Sequence, residues 1–238
     1  MAMTLGRVVA VFRYPVKSMC GESIESADVG WHGFAGDRRW AFIRNDAAHS
    51  GFPWLTIRER AQMALYRPSF VDPAQPDRSR IRVRTPVGAI LDLDDPALGR
   101  ELWPQGAQLT KQNRGTFDTF PISIISTQTI AAIGNSVGEE LEVSRFRPNI
   151  LLEAVVDTPF AEDSWVGSNL RIGSTRLRVD KRDGRCAVIT VDPRTAVSNL
   201  AVLRAVVGER QGCLGVYAST IEPGRVAVAD SVQIDVGE

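Results

Sequence analysis

Three polar clusters interrupt otherwise apolar runs in this 238-residue chain, and each carries groups able to do chemistry. Asp183-Gly184-Arg185-Cys186 leads into Ala187-Val188-Ile189-Thr190-Val191-Asp192-Pro193. A cysteine beside an arginine can be held as thiolate, the form that attacks or binds a soft metal. The plain alternative is an inert buried thiol. Arg145-Phe146-Arg147-Pro148-Asn149 precedes the apolar Ile150-Leu151-Leu152. Two guanidiniums and an amide stand there where a strand enters the core, a setting suited to an oxyanion or phosphate. In Tyr14-Pro15-Val16-Lys17-Ser18, one of only three lysines among 28 basic residues ends an apolar strand.

Generic motifs add nothing. There is no GxxxxGK[ST] phosphate loop, and GWHGFAG (30–36) has the wrong spacing for a dinucleotide fingerprint. A GxSxG elbow and an HExxH pair are both missing. The doublets Asp94-Asp95 and Glu139-Glu140 sit in polar contexts and read as solvated charge.

The elements that must position these clusters are mostly strands. RVVAVFRYPV (7–16), RRWAFIRN (38–45) and MALYRPSF (63–70) are short apolar runs broken by Gly, Asp and Pro. RSRIRVRT (78–85) alternates, with Arg78, Arg80, Arg82 and Arg84 on a solvated face and Ile81 and Val83 on the inner one. DLDDPALGREL (92–102) reads as a short helix with an acidic entry, and Pro104 to Gly115 as an inter-domain linker. PISIIS (121–126) is a buried strand, and TQTIAAIGNSVG (127–138) a helix stopped by Gly138. FRPNILLEA (146–154), LRIGSTRLRVD (170–180), CAVITVD (186–192), CLGVYASTI (213–221) and VAVADSVQI (226–234) are further strand candidates. NLAVLRAVVGER (199–210) is the clearest amphipathic helix. The pattern predicts a mainly β chain with a few helices (α+β), in barrels or sandwiches rather than a parallel sheet.

Composition narrows the function. With 28 acidic and 28 basic side chains and a pI near 6.8, no basic excess favours nucleic acid or an anionic membrane. Two histidines, His32 and His49, leave little for a His-rich metal site. Cys20, Cys186 and Cys213 form no CxxC pair, so neither a disulfide scaffold nor a zinc finger is available. Arg7 and Arg13 fall too early for a signal peptide, and no run approaches the ~18 apolar residues of a membrane helix. A soluble cytoplasmic protein is expected.

Taken in order, YPVKS…GDRRW, FRPN…EDSW and GRC…TVDP…T resemble the signature of proteins with a MOSC domain behind an N-terminal β-barrel partner. The amidoxime-reducing component family is the nearest comparison. The resemblance spans Arg7 to about Ile234 and implies two β-barrel domains, 1–105 and 106–238.

It also implies a molybdenum cofactor, a pterin dithiolene holding molybdenum, seated between the domains. Cys186 would be the thiolate on molybdenum, and Lys17, Ser18 and Arg38 would lie near the phosphate or pterin. Arg147 and Asn149 match the positions that clasp the cofactor from the MOSC side, and Gly184 and Arg185 would offer backbone N–H groups and a charge. Asp118 matches an acidic position ahead of a family strand. Asp192 could relay protons, although a turn with Pro193 explains it equally. Read structurally instead, Lys17 is a strand-end lysine, Arg38 a partner for Asp37, and Asn149 a turn residue.

The implied activity is reduction of N-hydroxylated compounds: amidoximes, hydroxylamines or N-hydroxylated bases. Electrons would come from a separate donor protein, cytochrome b5-like, a ferredoxin or a flavin reductase, since only Cys213 follows Cys186 and no iron–sulfur spacing exists. Two alternatives stand. One is a carrier of the cofactor or of a persulfide on Cys186, without the pyridoxal phosphate domain of cofactor sulfurases; the other is a metal-free thiol enzyme. Two turn positions depart from the family, Ala196 and Ala229, where glycine is common.

Overall fold

The computed structural model describes residues 2–235. Strand β1 (Ala2–Arg13) is followed by β2 (Glu22–Ile24), β3 (Ser26–Gly30), β4 (Gly33–Phe34) and β5 (Trp40–Arg44). Next come β6 (Arg67–Phe70), β7 (Ile81–Arg84), β8 (Ile90–Asp92), helix α1 (Pro96–Leu102) and β9 (Ala107–Lys111). The remainder comprises β10 (Ile122–Ser126), α2 (Thr127–Val137), β11 (Ile150–Ala154), β12 (Asn169–Ile172), β13 (Thr175–Gly184) and α3 (Leu200–Arg210). It closes with β14 (Cys213–Glu222), β15 (Gly224–Ala227) and β16 (Ser231–Asp235).

Seven strands close into a barrel in the order β11-β10-β14-β13-β12-β16-β1, with β1 returning to β11. Full closure leaves no free edge to aggregate. Among the described strands only β10 and β11 pair in parallel; the chain between them carries α2, the crossover such a pair requires. The first strand of the chain therefore completes the barrel built by its second half. At Gly6, β1 comes so close to β11 that a Cβ would lie 2.3 Å from the Glu153 carbonyl oxygen. Inside the barrel Val11, Ile124, Ile150, Leu152, Leu177 and Val216 are buried together, joined by Val29 and Phe34 from the β3–β4 hairpin.

A second core lies under β5–β9 and the three-stranded β6-β7-β8 sheet, around Phe42, Leu55, Met63, Ile81, Val83, Leu98 and Leu102. In β7 the inner Ile81 and Val83 are buried while Arg82 and Arg84 are exposed, as alternation predicts. Asp95 caps α1 through the Ala97 amide, and Gly138 ends α2 with a left-handed φ of 73°. A third cluster, with Ile133, Phe146, Val202, Val206 and Leu214, packs α2 and α3 on the barrel exterior. No helix among the described residues is long and apolar enough to cross a membrane.

The mainly β, barrel-based reading is borne out, with three local corrections. Residues 104–115 are not a free linker, because β9 pairs with β5 from Trp40↔Lys111 to Arg44↔Ala107. The start of MALYRPSF is a 3-10 turn, Ala61–Leu65, ahead of β6. CAVITVD is not a strand: Ala187–Thr190 is also a 3-10 turn, in which the Ile189 N–H donates to the Cys186 carbonyl and Thr190 Oγ1 to that of Ala187. Helix α3 forms as expected, but its apolar stripe is narrow. Val202 and Val206 are buried, whereas Leu200 and Val207 are exposed.

Candidate functional site

The turn after β1, the turn before β5, the entries to β10 and β11, the end of β13 and the 3-10 turn behind Cys186 converge on one cleft. It encloses about 710 Å³ open to solvent. Lys17, Ser18, Arg38, Asp118, Arg147, Asn149, Gly184, Arg185 and Cys186 all line it. Nine residues chosen from separate stretches of sequence thus share one wall system. Asp192 does not join them.

The cleft is strongly cationic, with Lys17, Arg38, Arg145, Arg147 and Arg185 set against Asp118 and Asp183. Lys17 is buried and donates to the Thr116 carbonyl (2.8 Å) and to Asp118 (2.5 Å). Burial holds the Lys17 ammonium below its ordinary pKa, outweighing the opposing pull of Asp118. Burial also pushes Asp118 upward, but the Lys17 charge and hydrogen bond win and leave its carboxyl below the usual range.

Arg38 and Arg147 both lie over the buried Tyr14 ring, 4.6 and 4.3 Å from its centroid. Arg38 is anchored by the fully buried Asp37 and by the Arg147 carbonyl (2.9 Å), and Asp37 also accepts the Tyr14 N–H (2.7 Å). With Asp37 and Tyr14 beside it, Arg38 stays above its ordinary value although burial works the other way. Arg147 has no such carboxylate. Burial, reinforced by the Arg38 charge, lowers its pKa to about 10. Its Nη1 donates to the Met19 carbonyl (2.6 Å), while its buried Nη2 has no hydrogen-bond partner.

Backbone strain gathers in the same place. Ser18, Arg38 and Arg147 all have left-handed φ, at 66°, 50° and 52°. Each such non-glycine conformation costs on the order of 1–3 kcal/mol and marks positions held by their surroundings. Among the described residues the Ser18 hydroxyl makes no hydrogen bond, so it remains available to a ligand. Beside Gly184 a Cβ would meet no atom within 4 Å. Cys186 is half-buried and is the only thiol in the cleft wall.

Three residues serve the scaffold more than the sequence suggested. The Asn149 side chain accepts from the Ser123 N–H (3.2 Å) and Arg38 (3.3 Å) and donates to the Phe12 carbonyl (3.3 Å). The Arg185 N–H is spent on the Gly212 carbonyl (2.7 Å), and its guanidinium bridges the Leu214 and Phe146 carbonyls. Asp192 accepts the Arg194 and Thr195 amides (2.8 and 3.1 Å) and pairs with Arg145 (3.2 Å). Although burial opposes it, those two amides and Arg145 hold the Asp192 carboxyl low. This is the turn geometry foreseen with Pro193, and it touches the cleft only through Arg145.

The structure adds residues that sequence reasoning passed over. Asp183, buried under the cleft wall, accepts from Ser123 (2.7 Å) and pairs with Arg185 (2.9 Å), while its buried Oδ1 has no hydrogen-bond partner among the described residues. The rings of Phe120 and Tyr217 meet at 6.0 Å, and Phe117 lines the same side.

Comparison with known proteins agrees with this architecture. The family model for the MOSC N-terminal beta barrel domain matches residues 5–116, and that for the MOSC domain matches residues 111–233. Human mitochondrial amidoxime-reducing component 1 is 30% identical over 130 residues, 49% of this chain and 37% of that protein. Mitochondrial amidoxime reducing component 2 of Bos taurus is 23% identical over 239 residues, 81% of this chain and 68% of that one. Molybdenum cofactor sulfurase of Danio rerio is 43% identical over 77 residues, 32% of this chain but 9% of that protein. The chain thus spans well under half the length of the human and Danio rerio relatives. The YuaD protein of Bacillus subtilis shares the fold across 98% of this chain and 97% of its own, with a TM-score of 0.53 at 14% identity. The motif resemblance is therefore borne out, and the chain belongs to the MOSC-domain family, with the MOSC N-terminal β-barrel domain ahead of the MOSC domain.

Proposed function

We propose that this protein binds a molybdenum cofactor in the cleft and reduces N-hydroxylated compounds, drawing electrons from a separate one-electron donor protein such as a cytochrome b5-like protein, a ferredoxin or a flavin reductase. The observation that carries this reading is the convergence of nine motif residues on one cationic cleft with a single thiol. The names of the amidoxime-reducing and cofactor-sulfurase relatives support it.

The residues present fit such a group. Among the described residues no three His, Cys, Asp or Glu side chains gather to hold a metal. A metal on Cys186 must therefore bring its other ligands with it, as a dithiolene does. The buried, unpartnered Nη2 of Arg147 and the free Ser18 hydroxyl suit an anionic phosphate, which would satisfy a donor that is otherwise costly to bury. Two cations stacked on Tyr14 keep that anion site charged and rigid.

When bound, the cofactor supplies two-electron chemistry at an N–O bond. The chain's own work is to hold the metal through Cys186, fix the phosphate with Arg147 and Ser18, and bound the substrate space with Phe117 and Phe120. Cys186→Ser should fold with an unchanged Tm but lose turnover of a simple aryl amidoxime under a chemical one-electron donor. Retained turnover would overturn the proposal. A carrier would instead pass its cofactor to an apo-enzyme with no turnover of its own.

A further inference from the structure

Two arginines tie the backbone on either side of Cys186 to the segment that carries Arg147. Ahead of the thiol, the Arg185 guanidinium donates to the Phe146 carbonyl (2.7 Å) and to that of Leu214 in β14 (2.8 Å). Behind it, Arg145 Nη1 donates to the Thr190 and Ile189 carbonyls (2.9 and 3.4 Å), at the end of the 3-10 turn that Cys186 opens. Arg145 and Phe146 are neighbours in one segment, and Arg185 and Cys186 are neighbours in the other. Each segment therefore lays an arginine on the backbone of its counterpart, and the two ties bracket the thiol.

Arg145 is itself held in place. It is 4% exposed, lines the cleft and ends the 3-10 turn Val143–Arg145. Its Nη2 pairs with Asp192 (3.2 Å) and Glu139 (3.7 Å). Asp192 is fixed in turn by the Arg194 and Thr195 amides (2.8 and 3.1 Å). Hydrogen bonds from a charged donor are roughly twice as strong as neutral ones, and a planar guanidinium loses little freedom in making them. Two residues after Arg145, the same segment presents Arg147, whose Nη1 is bound to the Met19 carbonyl.

We propose that Arg145 is a positioning residue: with Arg185 it forms a reciprocal clamp that fixes the Cys186 thiol relative to Arg147. A ligand held by both groups then finds the turn already ordered, and such preorganisation raises affinity by removing an ordering cost at the moment of binding. The clamp also gives Asp192 a role, as the carboxylate that steadies Arg145. Identifying the ligand as a molybdenum cofactor rests on the proposed function; the clamp itself does not.

Amide hydrogen exchange in cofactor-free protein, followed by NMR, tests the clamp. Its reporters are the Ile189 and Val191 N–H groups, which donate to the Cys186 and Val188 carbonyls (both 3.2 Å). Arg145→Gln should speed both about 10- to 100-fold, the effect of losing a charged hydrogen bond on a local opening, while the amides of β12 and β16 keep their rates. Arg185→Gln should speed the same two amides, and Arg145→Lys, which keeps the charge, should fall back toward wild type. Asp192→Asn should speed them to a smaller extent, and keeps the test open if Arg145→Gln folds poorly. In cofactor-loaded protein, Arg145→Gln should release molybdenum about tenfold faster than wild type, the lower end of the same range. Unchanged exchange at Ile189 and Val191, or a rise shared equally by β12 and β16, overturns the proposal. So does Arg145→Lys behaving like Arg145→Gln, or molybdenum release at the wild-type rate from Arg145→Gln. If wild type binds no molybdenum, the functional reading falls and the exchange rates alone decide the clamp.

Discussion

Replacing Ala229 by glycine tests how this sequence tolerates its departures at turns. Ala229 joins β15 to β16 with a φ of 72°, is exposed, and donates its N–H to the Val8 carbonyl (2.9 Å). An L-residue in the left-handed region costs roughly 1–2 kcal/mol, while glycine loses about 0.5–1 kcal/mol more chain entropy on folding. The difference leaves Ala229→Gly more stable by about 0.5–1 kcal/mol. Ala196 has the same strain, with a φ of 59°, but its side chain packs against the second core. Losing that methyl costs up to about 0.8 kcal/mol, so Ala196→Gly should be close to neutral. For a chain of this length each kcal/mol moves Tm by roughly 2–4 °C, so Ala229→Gly should melt about 2 °C higher and Ala196→Gly within about 1 °C of wild type. Thermal and urea unfolding followed by two probes would check both. A lower midpoint for Ala229→Gly would refute the assignment of strain to that turn.

Asp118→Asn should destabilise the protein in a pH-dependent way. The folded carboxyl lies below its ordinary 3.8, so the stability it contributes is present above that value and lost as pH falls through the folded one. The gap between wild type and variant should be full at neutral pH and close in acid; a gap that widens in acid contradicts the Lys17–Asp118 account. Gly6→Ala should cost about 1–3 kcal/mol, the usual range for overpacking, because its Cβ would meet the Glu153 backbone oxygen at 2.3 Å. An unchanged urea midpoint would mean that β1 does not close the barrel as described.

What the sequence could reveal followed from local pattern. The alternation in β7, the Asp95 and Gly138 caps, and the buried run of β10 all express side-chain period or turn chemistry within a few residues. The misread segments are those where an apolar run is too short for period to decide. Ala187–Thr190 turns because local carbonyls take its amides, and Thr56 draws the Glu59 and Arg60 amides just ahead of the Ala61–Leu65 turn. β9 was hidden for another reason: its partner β5 lies more than sixty residues earlier, and only tertiary pairing turns Ala107–Lys111 into a strand. The candidate site divides similarly. Lys17, Arg147 and Cys186 announce themselves as polar groups at the edges of apolar runs. Ser123, Asp183 and Tyr217 meet only through the register of β10, β14 and β13, and no local signal marks them.

The central claim, that Cys186 anchors molybdenum in this cleft, is tested most directly by metal analysis. Wild type and Cys186→Ala would be expressed in a molybdenum-replete, cofactor-making host, with Cys20→Ala and Cys213→Ala alongside, since neither of those thiols lines the cleft. The account predicts near-stoichiometric molybdenum in wild type, Cys20→Ala and Cys213→Ala, and its loss from folded Cys186→Ala. Folded wild type without molybdenum, or Cys186→Ala that retains it, would contradict the account.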